Sequence, residues 1–255
     1  MAVGTPDIQH RDDEEHRMTT RLGSVNEFCW MDLKTRDLPG TAAFFSTTLG
    51  WRFAVDEEDR RRATKITLDG HLIGGVSDLA HPVYPPGTPA HIAYYLAVED
   101  IERRIAVATA HGARIVVPPF DAGDQGRMAT LIDPAGAAFS LWQAHHFTGW
   151  QFPLHLASAP HRMVLACERP DEARNFYRET AGSPLTCADF VAPRGGLTAT
   201  PQWELAIGVD DLDSVVTRVR EQGRSPATWQ DETGRCVVRL TSPEGLTFQI
   251  RRLER

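Results

Sequence analysis

The sequence predicts an α+β fold in which one βαβββ module occurs four times. A segment that reads as a strand leading into a helix occurs in both halves of the chain, and a Pro- and Gly-containing turn leading into another strand follows each copy. These repeated segments are 96–101 and 133–142 in the first half, and 207–212 and 242–250 in the second. A further matched pair, 30–33 and 162–165, lies upstream. The repetition indicates paired modules and not one continuous sheet.

The first module is predicted between residues 28 and 76. Its first strand covers 28–34, and the stretch Asp37-Leu-Pro-Gly-Thr41 opens a short helix that ends near Gly50. Three strands follow at 51–55, 64–68 and 72–76, with a turn at Asp69-Gly70. The segment 81–89 contains four prolines and links this module to the second.

The second module repeats the same plan. A strand is expected at 91–98 and a helix at 99–111. Strands near 114–117, 128–132 and 137–142 complete it.

The second half repeats the plan with one deletion. Phe45 and Ala93 are 48 positions apart, whereas the equivalent Tyr177 and Glu204 are 27 apart. The third module has therefore lost about the length of a two-stranded hairpin. We expect a disordered tail over 1–23, a first domain over 24–147, a linker over 148–160 and a degenerate second domain over 161–255.

Several motifs resemble the vicinal oxygen chelate superfamily, which includes glyoxalase I, extradiol dioxygenases and the bleomycin- and fosfomycin-resistance proteins. These motifs are Trp30-Met-Asp-Leu33, Tyr95-Leu-Ala-Val-Glu-Asp100, Gly126-Arg-Met128 and Asp133-Pro-Ala-Gly-Ala-Ala-Phe-Ser-Leu-Trp-Gln143. The two-domain glyoxalase-like proteins of actinobacteria are the most similar type, and the resemblance covers about residues 25–252. It implies that paired modules curl their sheets into two cup-shaped glyoxalase-like domains, with helices outside and the ligand inside. The truncated third module should make its cup shallower or partly open.

Alternation along the strands separates residues that face the helices from residues that face the cup. On the first strand, apolar residues at 29, 31 and 33 are expected under the helix. The cup side of the first domain then contains Phe28, Trp30, Asp32, Lys34, His91, Ala93, Tyr95, Ala138, Ser140 and Trp142.

The resemblance also implies where metal ligands would lie. The family's His or Glu ligands correspond to Trp30, Gly74 or Gly75, Ala93 and Ser140 in the first half, and to Arg162, Glu204 and Gln249 in the second. A divalent metal needs imidazole, thiolate or carboxylate ligands. We therefore expect no metal and no cofactor, and neither glyoxalase nor ring-cleaving dioxygenase activity. One alternative is that His91 and Asp32 rebuild a metal site.

The remaining cup residues are aromatic with a few polar groups, which suits a flat, apolar ligand held by two or three hydrogen bonds. Trp30, Ser140 and Trp142 are the expected ligand-binding residues. An alternative is that the two tryptophans fill the cup. In the second cup, Arg162, Glu204, Gln249 and Arg251 are expected to pair with one another and close it.

These features leave three classes of function open. In the first, Asp32 and His91, helped by Tyr95, transfer protons in a metal-independent tailoring enzyme that acts on an aromatic or polyketide-like molecule. Dehydration, closure of a cyclic ether or ketal, and isomerisation all fit. The second class is a sequestering protein of the antibiotic-resistance type. The third is a structural or regulatory protein with both cups closed.

Composition excludes other classes. The formal net charge of −7 and the absence of a basic stripe argue against nucleic-acid binding. No apolar run is long enough for a membrane helix. Four scattered cysteines without a Cys-x-x-Cys pair favour a reduced, cytoplasmic protein. Four modules in one chain allow a monomer, and exposed strand edges in the third module allow a homodimer.

Overall fold

The computed structural model describes residues 21–57, 62–193 and 200–253. Most of the expected tail over 1–23 lies outside the described residues. Of the last three tail residues, Leu22 is buried and the Gly23 N–H donates to the Phe28 carbonyl at 2.8 Å. Within the described residues, no helix combines the length and apolar character that crossing a membrane requires.

The first half forms one eight-stranded sheet, as the two predicted modules require. Its elements are β1 (Phe28–Thr35), α1 (Leu38–Leu49), β2 (Arg52–Val55), β3 (Thr64–Leu68), β4 (His71–Asp78), β5 (His91–Ala97), α2 (Ile101–Ala110), β6 (Arg114–Asp121), β7 (Gly126–Ile132) and β8 (Ala138–Ala144). The strand order is β2-β3-β4-β1-β5-β8-β7-β6. The first strands of the two modules, β1 and β5, therefore pair antiparallel at the centre.

The second half forms a smaller sheet. Its elements are β9 (Ala159–Ala166), α3 (Pro170–Ala181), β10 (Ala188–Val191), β11 (Trp203–Val209), α4 (Leu212–Glu221), β12 (Ala227–Gln230), β13 (Cys236–Thr241) and β14 (Thr247–Arg252). The strand order is β10-β9-β11-β14-β13-β12. In the described part of the third module, β10 pairs parallel with β9 as β4 does with β1, and the hairpin β2–β3 has no counterpart. The predicted truncation is confirmed.

Local sequence explains where the helices of the first half begin and end. The Asp37 side chain accepts a hydrogen bond from the Gly40 N–H at 2.9 Å, and α1 ends at Gly50, whose φ of 77° suits glycine. Asp100 caps α2 in the same way by accepting from the Arg103 N–H at 3.0 Å. The helix therefore begins after Asp100, two residues later than predicted.

The helices of the two halves pack against each other, α1 with α4 and α2 with α3, so the halves share one hydrophobic core. The Phe45 ring of α1 lies 5.2 Å from the Phe248 ring of β14. On the other side, the Phe139 ring of β8 lies 5.1 Å from the Tyr177 ring of α3. The cups consequently open away from this shared helical layer.

Polar contacts at the two repeated Pro-Gly turns also join the halves. Asp133 Oδ2 accepts a hydrogen bond from the Tyr177 hydroxyl at 3.0 Å, and that hydroxyl accepts from the Trp203 indole N–H at 2.7 Å. In the opposite direction, the Glu244 carboxylate accepts from the Arg36 N–H at 3.2 Å and from the Thr35 hydroxyl. Each half thus sends one turn carboxylate into the other half.

The prediction that Phe28 faces the first cup is wrong. The pairing of β1 with β5 shifts between Phe28 and Trp30, so Phe28 lies opposite Leu96 on the helical side. Its ring contacts that of Trp203 with centroids 4.6 Å apart. A β-bulge inserts one residue and reverses the alternation on one side of it.

Candidate ligand site in the N-terminal cup

The strand register puts four predicted site residues, Trp30, Asp32, His91 and Tyr95, on one face of the first sheet. Trp30 lies opposite Tyr95, and Asp32 lies opposite Ala93. Lys34 lies opposite His91. Residues directly opposite each other in a ladder point to the same side of the sheet.

Asp32 is the centre of a polar cluster on this face. Its Oδ2 accepts hydrogen bonds from the Lys34 ammonium and, at 2.6 Å, from the Ser77 hydroxyl. Lys34 Nζ also contacts Ser77 Oγ and the Tyr84 hydroxyl, both at 3.0 Å. The side chains of Asp32 and Lys34 are each 12% exposed, so the cluster lies inside the cup.

Gly75 makes room for this carboxylate. A Cβ atom at Gly75 would lie 3.1 Å from Asp32 Oδ1 and 3.8 Å from the Trp30 indole nitrogen. Gly75, one of the two glycines at a family metal-ligand position, therefore lies against the Asp32 side chain.

The protonation of Lys34 and Tyr95 follows from this arrangement. Burial acts to lower the pKa of Lys34, but the charge and hydrogen bond of Asp32 outweigh it and raise the pKa above its ordinary value. Burial and the neighbouring Asp32 charge also raise the pKa of the Tyr95 hydroxyl. Lys34 is therefore a cation and Tyr95 a neutral phenol that can donate a hydrogen bond.

His91 lies at the rim of the same face and is exposed. Its Nδ1 is 2.9 Å from the Pro89 carbonyl oxygen, which can only accept, so Nδ1 carries the proton. In the neutral ring, Nε2 is then the basic atom. The described side-chain partners of Asp32 are Lys34 and Ser77, so the structure places His91 beside Lys34 and not in a direct pair with Asp32.

The aromatic wall is closed at one end by a residue that the sequence analysis did not single out. The Phe147 ring stands edge-on to Trp30 with centroids 4.7 Å apart, and edge-on to Trp142 at 6.2 Å. The Trp142 indole N–H donates to the Phe147 carbonyl at 2.8 Å. Tyr95 meets Trp142 at 6.2 Å. Trp30 and Trp142 are consequently buried.

Ser140, the third predicted ligand-binding residue, lies in the same wall. It is buried, and its hydroxyl is 2.9 Å from the Thr130 hydroxyl. Close packing continues at Gly126, where a Cβ atom would lie 2.5 Å from the Trp142 ring. The wall around Trp142 is thus fixed from both sides.

Three site residues, Ser77, Tyr84 and Phe147, were missed by sequence reasoning. Ser77 lies one residue beyond the predicted end of its strand. Because it is two positions from Gly75, alternation would have placed it on the cup side. Tyr84 and Phe147 lie in connecting segments, where no periodicity indicates a direction. Lys34 was placed on the correct face, but its partner was not recognised.

The second cup contains the expected charged network in part, because Gln249 binds Glu204 and Arg251, but other partners also take part. Arg162 binds Asp189, with Nη2 2.7 Å from Oδ1, and not Glu204. Glu204 Oε1 accepts from Arg239 Nε at 2.7 Å, and Glu204 Oε2 accepts from Gln249 Nε2 at 3.0 Å. The register explains these partners. Asp189 lies on β10, next to the strand of Arg162, and Arg239 lies on β13, opposite Gln249 of β14, the strand between β13 and the strand of Glu204.

Paired βαβββ modules that curl around an aromatic and polar cup define a glyoxalase-like protein. A profile described as "Glyoxalase/Bleomycin resistance protein/Dioxygenase superfamily" matches residues 27–141. The first half of the chain is therefore similar to that superfamily. The Mn(II)-bound glyoxalase of Novosphingobium aromaticivorans has a similar fold, with a TM-score of 0.60 and 13% identity, over 89% of this chain and 82% of that one.

Two relatives are similar over most of their length. CFP32 of Mycobacterium tuberculosis, which carries a glyoxylase name, is 26% identical over 92% of this chain and 96% of its own. The anthracycline biosynthesis protein DnrV of Streptomyces peucetius is 25% identical over 87% of this chain and 91% of its own.

The residues of the first cup do not fit the metal that the glyoxalase neighbour holds. Indole, glycine, alanine and a serine hydroxyl occupy the corresponding positions, and the Asp32 carboxylate is bonded to Lys34 and Ser77. In the part of the chain that the structure describes, no three His, Cys, Asp or Glu side chains lie close enough to form a metal site.

Proposed function

We propose that the N-terminal cup binds an aromatic, polyketide-like molecule and acts on it by metal-independent proton transfer. The observation that carries this proposal is the buried pair of Asp32 and Lys34 beneath the walls formed by Trp30, Tyr95 and Trp142. Such a site combines a carboxylate, a cation and a phenol with apolar surface. The similarity to DnrV, whose name places it in anthracycline biosynthesis, supports this class of substrate.

Each polar group has a role in this proposal. His91 Nε2 accepts a proton at the rim, and Asp32 takes or returns a proton deeper in the cup. Tyr95 donates a hydrogen bond to a carbonyl or hydroxyl oxygen of the ligand, and Lys34 stabilises negative charge on it. Dehydration, closure of a cyclic ether or ketal, and isomerisation need only proton transfer within a ligand held in a reactive conformation.

A second function, sequestration without chemistry, is favoured by the Phe147 ring, which fills part of the space between Trp30 and Trp142. A cup that binds an aromatic ring tightly would use the same wall. Turnover separates the two functions, because a sequestering protein returns its ligand unchanged.

The test begins with deletion of the gene in its native host and isolation of the compound that accumulates. Purified protein treated with a chelator should convert this compound. Asp32→Asn and His91→Ala should each lower turnover about 10²–10⁴-fold, the range for a positioned acid or base. His111→Ala is the matched control, because His111 is also exposed and its Nδ1 also contacts a carbonyl, that of Val107, at 2.9 Å.

Three outcomes contradict the catalytic proposal. One is tight binding of the compound without conversion, which indicates sequestration. Another is near-normal turnover by both variants. The third is loss of activity with the chelator together with close to one metal ion per chain by elemental analysis, which would return attention to His91 and Asp32 as ligands.

A cytoplasmic location belongs to the same proposal. The four cysteines, all among the described residues, form no disulfide, and three of them are buried. Cysteines without disulfides are typical of a reducing compartment.

A further inference from the structure

A separate cavity of about 470 Å³ opens at the end of the C-terminal sheet, where β9 begins and β14 ends. Four of the residues that line it are arginines, Arg162, Arg235, Arg251 and Arg252, in a chain whose formal net charge is −7. We propose that this cavity binds the oxyanion of a small metabolite, a carboxylate or a phosphate. The proposal is independent of the chemistry in the N-terminal cup.

Two of the arginines are held in place by one shared carboxylate. Asp189 Oδ1 accepts from Arg162 Nη2 at 2.7 Å, and Asp189 Oδ2 accepts from Arg251 Nη1 at 2.8 Å. Hydrogen bonds and charge from both arginines outweigh burial and lower the pKa of Asp189, so it stays ionised. The guanidinium groups of Arg162 and Arg251 therefore share the single negative charge of Asp189.

Arg251 also has a donor that points to a missing acceptor. Its Nη2 binds Gln249 Oε1 at 3.2 Å, but its Nε is buried and has no hydrogen-bond partner among the described residues. A buried donor without an acceptor is costly, and an oxyanion beside the guanidinium would remove that cost.

The two acidic residues of the lining offset only part of the charge of its four arginines, although the charge of Asp231 acts on Arg251. The Asp231 carboxylate is bonded within its own turn, to the Thr233 N–H at 2.8 Å, the Thr233 hydroxyl at 2.7 Å and the Arg235 N–H at 3.0 Å. Asp213 lies in the first turn of α4. The N-terminus of α4 adds partial positive charge, because the helix begins at Leu212, also in the lining.

The chemistry of the lining decides the class of ligand. Guanidinium groups bind carboxylates and phosphates through paired hydrogen bonds, which gives both affinity and geometry. Leu212 and Leu253 also line the cavity and, although mostly buried, add some apolar surface for the remainder of the molecule. A carboxylated or phosphorylated small molecule fits this combination.

Binding can be measured on the full chain by isothermal titration calorimetry, with inorganic phosphate and succinate as probes and chloride at equal ionic strength as the blank. We expect saturable binding of at least one probe. Arg162→Gln and Arg252→Gln should each weaken it about tenfold or more, the effect of one lost charge-assisted hydrogen bond. Arg220→Gln, an exposed arginine of α4 outside the lining, should leave it unchanged.

Urea denaturation shows whether Arg162→Gln remains folded. Arg252 is exposed, so Arg252→Gln tests the site with little effect on the fold. Absence of saturable binding with both probes overturns the proposal. So does an equal loss in Arg220→Gln, because the binding would then reflect overall charge. Neither result affects the proposed function of the N-terminal cup, whose test uses other residues and another ligand.

Discussion

Lys34 and Asp32 form a buried ion pair two positions apart on the same strand, on the face that lines the first cup. Ser77 and Tyr84 surround the pair with hydroxyl groups. Burying two charges is costly unless each is paired and hydrogen-bonded. The arrangement meets that condition, and it leaves a carboxylate and an ammonium group beneath an aromatic wall.

The first prediction follows from this pair. Lys34→Met leaves the Asp32 charge buried without its cation, and we expect the free energy of unfolding to fall by about 3–5 kcal/mol. Urea denaturation measures this loss, and the double variant Asp32→Asn/Lys34→Met should recover part of it. Arg62→Gln is the control, since its 2.8 Å pair with Glu57 is exposed and should matter by about 1 kcal/mol or less. Equal effects of Lys34→Met and Arg62→Gln would show that the buried pair does not stabilise the cup.

The second prediction concerns the aromatic wall. Trp142→Ala removes the ring that contacts Tyr95 and Phe147, and ligand binding should weaken by about 1–3 kcal/mol. Trp30→Ala should have an effect of the same size. Trp142→Phe keeps an aromatic face and should lose less. Calorimetric titration with the compound that accumulates in the deletion strain gives the affinities. Unchanged affinity in both alanine variants would show that the ligand does not bind in this cup.

The third prediction replaces an expectation drawn from sequence alone. Glu204→Gln should destabilise the second domain through Arg239, its actual partner, and leave the Arg162–Asp189 pair intact. Because Arg239 is buried, the loss should be about 3–5 kcal/mol in the free energy of unfolding. The matched variant Glu204→Gln/Arg239→Met should be more stable than Glu204→Gln. If Arg162→Met restored the stability of Glu204→Gln and Arg239→Met did not, Glu204 would be paired with Arg162.

Much of the fold could be predicted because the repeat fixes the order of elements and period-two alternation fixes the faces of the strands. The truncated third module followed from the spacing of equivalent aromatic residues. What failed was local. The bulge at Phe28 shifts the alternation by one residue, and no residue type there signals it.

The site was predicted less completely than the fold. Alternation identified Asp32, His91 and Tyr95 on one face, but it gives no distances between side chains. The partner of Asp32 turned out to be Lys34 on its own strand, and Tyr84 and Phe147 reach the cup from connecting segments. Pairings such as Arg162 with Asp189 depend on which strands are neighbours, and the deletion in the third module obscured this.

The last prediction concerns Glu27, a carboxylate of the first half that is buried in the second. Glu27 is 1% exposed, and its Oε1 accepts from the Thr186 hydroxyl at 2.7 Å and the Cys187 N–H at 3.2 Å. Its Oε2 has no hydrogen-bond partner among the described residues. Burial outweighs these hydrogen bonds and raises the pKa of Glu27 above its ordinary value of 4.5.

The folded state therefore binds this proton more tightly than the unfolded chain does. The resulting stability is fully present below the unfolded pKa and is lost as pH rises through the folded pKa. Glu27→Gln, whose amide oxygen can accept the same hydrogen bonds, should become more stable relative to the wild type as pH rises above about 4.5. Urea denaturation at a series of pH values gives this difference. Glu244→Gln is the control with opposite sign. Hydrogen bonds from the Thr35 hydroxyl and from the Asp37 and Arg36 N–H groups, which precede α1, outweigh burial and lower the pKa of Glu244. The wild type should therefore lose stability relative to that variant as pH falls below about 4.5. A difference for Glu27→Gln that does not change with pH would show that Glu27 titrates alike in the folded and unfolded chains.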